Sequence, residues 1–202
     1  MLEHVPGWLG RLLAGRRAGM DKIVVVQPGM AGEGQLQLTS PAFADGARLP
    51  ERFTADGEGA SPPLTWTGAP DGARLALIVE DADAPTGQPL VHAVVSDLEG
   101  PAGRLEEGGI VRDAPEGEVG RNSGFRKGWL PPDPPNGHGE HRYVFQLFAL
   151  GVDAPDPGEA PGRAALVEAM KGHVLASGVL VGTYSRGEPA AVGPVGGVAV
   201  PT

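Results

Sequence analysis

LALIVEDADAPTGQPLVHAVV, residues 75–95, sets two short apolar runs, LALIV (75–79) and VHAVV (91–95), on either side of a turn-rich connection. Both runs are bounded by Gly, Pro and Asp, the pattern of strands buried on both faces, so they read as core strands of a sandwich. Working outward, RYVFQLFAL (142–150) and GVLVGTY (178–184) are two further strand candidates rich in branched and aromatic residues. Pro161 and Gly162, followed by Leu166, Val167, Met170 and Val174 at helical spacing, predict one helix in the C-terminal half. Connections such as GAPDGA (68–73) and PPDPPNGHG (131–139) cannot be regular structure. The 33 glycines and 21 prolines fall between the apolar runs, which favours turns of a mainly β fold over low complexity.

Ahead of this body, Leu2, Val5, Trp8, Leu9, Leu12 and Leu13 recur at helical spacing, with Arg11, Arg16 and Arg17 on other turns. The reading is a short amphipathic helix whose stripe packs on the domain or on a second copy, followed by a flexible link at Gly29–Gly34. The chain therefore divides into an N-terminal arm and linker (1–34), a body (35–187) and a Gly/Pro-rich tail (188–202).

With 25 acidic against 16 basic side chains, the net charge of -9 disfavours nucleic acid, whose affinity comes mostly from Lys and Arg on phosphates. The absence of cysteine excludes disulfides, thiolate zinc sites and a thiol nucleophile. No apolar run approaches the roughly 20 residues of a membrane span, and no signal peptide is apparent at the N-terminus. Cytoplasmic residence without stable membrane insertion is the expectation.

Polar residues interrupt apolar or turn sequence in TADG (54–57), SPPLTW (61–66), EDADAP (80–85), at His92 and in GHGEHRY (137–143). Asp81 and Asp83 follow directly on LALIV and so sit at the rim of its sheet. His92 lies inside a strand, and Tyr143 shares a face with His141 because strand side chains alternate. If these strands are neighbours, carboxylates, imidazoles and a phenol converge on one rim. Each residue also has a structural reading: His92 as a satisfied core residue, Asp81 and Asp83 as turn formers beside Pro85, Arg142 as an ion-pair partner, and the proline loop as a rigid lid or a spacer.

In this order the segments SPAFADGARLPERFTADGEGASPPLTWTGAP (40–70), VEDADAP (79–85), HAVVSDL (92–98), GHGEHRYVFQLFAL (137–150) and GHVLASGVLVGTYSR (172–186) resemble the phosphatidylethanolamine-binding protein family, nearest its bacterial Raf-kinase-inhibitor-like branch. The resemblance implies a Greek-key β-sandwich with a small anion-binding pocket at one end and no cofactor. It places Asp81, His92, His141 and Tyr143 at the ligand, with Asp83, Pro85 and Arg142 in support. DADAP stands where the family has DPDAP, which predicts a looser turn, and Leu130 and Pro131 replace glycines.

The chemistry suits such a pocket: a carboxylate favours the protonated form of a neighbouring histidine, which then donates to an anion. Main-chain amides of Gly137, His138 and Gly139 are expected as further donors. Three functions compete. The first is a non-enzymatic module for a small anion or phospholipid headgroup, with the family resemblance extending it to inhibition of a kinase or protease. The second is a metal-dependent hydrolase built from Asp81, Asp83, His92, His138 and His141. The third is an interaction protein, such as a homodimer, assembled through the N-terminal helix.

Overall fold

The computed structural model describes residues 6–98, 100–111 and 117–186. Leu2, Val5 and the tail from residue 187 lie outside them. In chain order the described residues form α1 (Gly7–Leu13), β1 (Gly34–Gln35), β2 (Gln37–Thr39), β3 (Leu64–Thr67), β4 (Arg74–Asp81), β5 (Leu90–Leu98), β6 (Gly103–Leu105), β7 (Glu118–Val119), β8 (His141–Leu150), α2 (Arg163–Met170) and β9 (Val174–Tyr184). A six-stranded sheet runs β1-β9-β8-β4-β5-β7, and β2-β3-β6 form a second sheet. After the β4–β5 pair the chain visits the small sheet as β6, returns as β7 beside β5, and crosses to lay β8 against the other edge of β4. This is the expected Greek-key sandwich, mainly β with two helices.

LALIV lacks polar alternation because both of its faces are covered. Leu75, Leu77 and Val79 point between the sheets with Ala93, Val95, Phe145 and Leu147, and meet Leu38, Leu64, Trp66 and Leu105 of the small sheet. Ala76 and Ile78 point the other way, with Val94, Val144 and Phe148, against Leu166, Val167 and Met170 of α2 and against Ile23, Val24, Val25 and Met30.

Residues 18–30, read from sequence as arm and linker, thus belong to the core. Their anchor is Glu80, fully buried, which accepts the Val24 main-chain N–H at 2.9 Å and Gln146 Nε2–H at 2.8 Å and pairs with Arg163 Nε at 2.6 Å. The arm docks on the domain, but not by the expected apolar stripe. In α1, Trp8 and Leu12 are 61% and 72% exposed, whereas Gly10 is buried. A Cβ at Gly10 would stand 1.9 Å from Asn136 O, so the helix docks by its glycine, where main chain meets main chain. Val174 opens β9 instead of continuing α2, because Gly172 turns the chain with φ +74°.

Candidate functional site

At the rim where β4 ends, Asp81 lies opposite Tyr143 of β8, and His141 opens β8 on the same face two residues earlier. His92 reaches this face by a break in register. Val79 faces Ala93 and Glu80 faces Val91, leaving His92 as the extra residue of a β-bulge, a device that re-aims a side chain. Its ring lies edge-on to Tyr143 at 5.1 Å and tilted beside Trp129 at 5.9 Å.

Asp81, His92, His141 and Pro85 line one cavity of about 280 Å³. The rest of its wall is mostly apolar: Ala84, Leu90, Leu130, Pro131, Pro134 and Pro135, with Thr86 and, at the proline loop, Asp133. The loop is fixed at both ends. Leu130 N–H donates to His92 O at 2.8 Å, and Arg186, the ion-pair partner of Asp133 at 2.7 Å, donates to Pro134 O at 2.9 Å.

Two nitrogens of the cavity histidines define its chemistry. His92 Nδ1 lies 2.5 Å from Leu130 O, an acceptor, so the proton sits there and Nε2 carries the lone pair. That Nε2 is buried and has no hydrogen-bond partner among the described residues. Burial lowers the His92 pKa below the ordinary histidine value, against the opposing pull of the Asp81 charge and the Leu130 carbonyl, so the ring is neutral at neutral pH. His141, in contrast, has both nitrogens engaged: Nδ1 with Asp81 Oδ2 at 2.7 Å and Nε2 with His138 Nδ1 at 2.7 Å. With both nitrogens engaged, it has no ring N–H left for a ligand, so the expectation that it donates directly is corrected. Tyr143 stands behind the histidines, its hydroxyl also unpartnered among the described residues. Burial, then the Asp81 charge, raises the Tyr143 pKa well above its ordinary value and keeps the phenol protonated.

The other expected residues are not on the wall. Asp83 accepts Arg142 N–H at 2.9 Å, Nε–H at 2.7 Å and Nη2–H at 2.7 Å, and pairs with Arg17 Nη1 at 2.9 Å. Burial pushes its carboxyl up, but the bonds from Arg142 and Arg17 outweigh burial and hold it below the ordinary range. Gly137 and Gly139 have φ of +76° and +94° and turn the loop toward α1, where a Cβ on Gly137 would come 2.6 Å from Gly7 O. Neither glycine lines the cavity, whose wall the proline loop forms instead. His138 is buried behind His141 and bonds to the N-terminal segment. With Asp83 spent on arginines, the five-residue metal cluster does not assemble: among the described residues no three His, Asp or Glu side chains are grouped to hold a metal ion. Sequence reading missed Leu90, Pro134, Pro135 and Asp133 as wall and Arg17 as a partner; the paired prolines of 131–135 were the available signal.

The turn itself departs from expectation. Ala82 N–H donates to Arg142 O at 3.1 Å, a bond that proline cannot make, so alanine here adds a rung where a looser turn was expected.

The family model for phosphatidylethanolamine-binding protein matches residues 39–185. A UPF0098 protein of Methanothermobacter thermautotrophicus is 42% identical over 158 residues, covering 75% of this chain and 100% of the relative. A UPF0098 protein of Chlamydia muridarum is 38% identical over 156 residues, covering 75% and 99%. Among solved structures, a phosphatidylethanolamine-binding protein homolog from Chlamydia trachomatis superposes with TM-score 0.68 at 36% identity, over 76% of this chain and 99% of that one. E. coli YbcL, described as a member of the mammalian family, superposes with TM-score 0.69 at 26% identity, over 75% and 99%. Among the described residues no helix is long and apolar enough to cross a membrane.

Proposed function

Because this chain belongs to the phosphatidylethanolamine-binding protein family, we propose that it binds a small anion of the phosphate type, free or as a phospholipid headgroup, in the cavity at the β4 rim, and does not turn it over. The observation that carries this reading is His92 Nε2, a buried polar atom without a partner on the wall of a concave site. A buried group left unbonded costs about 1–3 kcal/mol, and a ligand oxygen recovers that loss. The neighbouring Asp81–His141 pair adds no net negative charge when it holds one proton beyond that of a neutral imidazole, and the apolar walls strengthen any charge-assisted bond made inside.

Since Nε2 carries a lone pair, an anion must arrive with a proton on one oxygen or load one onto His92. Both routes give the same linkage: affinity rises as pH falls. Binding without chemistry fits a wall whose one hydroxyl side chain, Thr86, donates to Gln88 O. Cytoplasmic residence and inhibition of a kinase or protease extend this reading on the strength of the cysteine-free sequence and of the family resemblance.

Calorimetric titration of inorganic phosphate and of phosphoethanolamine into wild type and His92→Phe at pH 6 and pH 8 tests it; preference for the second ligand marks a headgroup, equal binding marks free phosphate. Binding should weaken at the higher pH. His92→Phe, which removes Nε2, should bind about ten-fold or more weakly, the value of a hydrogen bond to a charged group. Equal affinities in both folded proteins at both pH values would overturn the assignment.

A further inference from the structure

Behind the cavity, Asp81, His141 and His138 stand in line toward the N-terminal segment, and hydrogen-bond valence places the protons along that line. Carbonyl oxygens only accept, so Nε2 of His138, 2.9 Å from Leu13 O and 3.2 Å from Arg16 O, must carry a proton. A neutral His138 then presents a bare Nδ1, which accepts from Nε2–H of His141 at 2.7 Å. His141 is left with Nδ1 alone to meet Asp81 Oδ2 at 2.7 Å. That bond needs one more proton, held either by an imidazolium facing a carboxylate or by a carboxyl facing a neutral ring. If Nε2 of His141 were free to be bare, the pair could release this proton.

We infer that His138 is a positioning residue through which the docked N-terminal segment, residues 7–17, keeps the Asp81–His141 pair loaded with a proton and so primes the cavity for an anion. The segment acts twice. Its carbonyls take the Nε2 proton of His138, and Arg17, which donates to His138 O at 3.2 Å and to Glu140 O at 2.7 Å, sets a positive charge beside the ring. Burial first, then the charges of His141 and Arg17, lowers the His138 pKa and leaves Nδ1 an acceptor.

Other charged groups face the line without supplying its proton. Arg11 lies against Gly137, Asp83 is taken by Arg17 and Arg142, and His92 and Tyr143 pack on the cavity side. The segment lies outside residues 39–185, and three quarters of this chain already span the Methanothermobacter relative end to end, so it is an addition to the family domain. Its docking is nevertheless specific, through the close approach of Gly10 to Asn136 O and of Gly7 O to Gly137. Linkage is reciprocal: an anion in the cavity tightens the docking that favours it.

Long-range proton–nitrogen spectra of the histidine rings in the full chain at neutral pH test this inference, with inorganic phosphate titrated in parallel. In wild type, Nε2 of His141 should be protonated and Nδ1 of His138 bare. His138→Phe keeps ring bulk but removes the acceptor, and Gly10→Ala lifts α1 by steric contact without touching the cavity. In both, Nε2 of His141 should become bare and phosphate should bind about five-fold or more weakly. His138→Gln, whose amide can donate to the carbonyls and accept from His141, should restore both signatures. A His141 Nε2 that stays protonated in the Phe and Gly10→Ala proteins, or is bare in wild type, would overturn the inference. The phosphate arm rests on the anion reading above; if wild type binds no phosphate, that reading falls while the ring spectra still decide the role of His138.

Discussion

Asp81 and Asp83 stand two residues apart at the end of one strand, both buried, and the fold puts them to opposite uses. Asp83 meets guanidinium from two directions, two bonds from Arg142, whose main-chain N–H adds a third, and an ion pair with Arg17. Its partners keep their charge at every physiological pH, so it works as a clamp between the N-terminal segment, the β4 turn and β8. Asp81 meets an imidazole, whose protons are placed by what the far nitrogen is bonded to. It faces the cavity, and its state can be adjusted. Two identical side chains at one turn are thus distinguished by how permanent their partners' charges are.

The largest expected effect tests the clamp. Asp83→Asn should lose about 2–3 kcal/mol in urea unfolding, near the low end for breaking a buried pair because Arg17 and Arg142 remain partly exposed. Asp81→Asn should lose clearly less, since the amide oxygen can still accept from Asp83 N–H while the amide N–H donates to a bare Nδ1 of His141. Equal losses would erase the distinction.

A pH series sharpens it. Burial holds His92 and His138 below the ordinary histidine value of 6.5, so just below that pH the unfolded chain binds more protons than the folded one. Their contribution to stability is complete above about 6.5 and is lost as pH falls toward the folded values. Asp83, held below its ordinary 3.8, contributes stability that is complete above that value and lost as pH falls through its folded value. Urea midpoints should therefore fall in two stages on acidification, the first below about 6.5 and the second below about 3.8. Saturating phosphate should suppress the first stage, and Asp83→Asn should remove the second. A single stage untouched by either would break the comparison.

The smallest effect concerns the residue between them. Ala82→Pro removes the bond to Arg142 O, about 1 kcal/mol, but stiffens the unfolded chain by a similar amount. Its melting temperature should move by the equivalent of less than about 1 kcal/mol. A larger loss would mean that this rung is what separates the two carboxylates.

The long strands were legible because β4, β5, β8 and β9 are covered on both faces, and a doubly covered strand leaves an unbroken apolar run in the sequence. Alternation along β8 placed His141 and Tyr143 on one face, and the end of LALIV placed Asp81 at the rim. The bulge at His92 was invisible, because register is a property of two strands and neither sequence records it alone. Residues 18–30 were misread for a related reason. IVVV (23–26) falls in the stretch assigned to the arm and linker, but buried Glu80 and Gln146 satisfy amides of Val24 and Val25 and hold it in tight turns. Trp8 and Leu12 advertised a buried stripe, yet glycine decided which side of α1 could approach Asn136.

Local periodicity thus reaches as far as a burial pattern repeats along one element. It carried the sandwich, its four long strands and the rim where the chemistry collects. Which carboxylate is clamped, which histidine keeps a free nitrogen, and which carbonyls hold His138 depend on atoms up to 125 positions apart in the chain. Hydrogen bonds and ion pairs act over a few ångströms of space, so no pattern of neighbours along the chain encodes them.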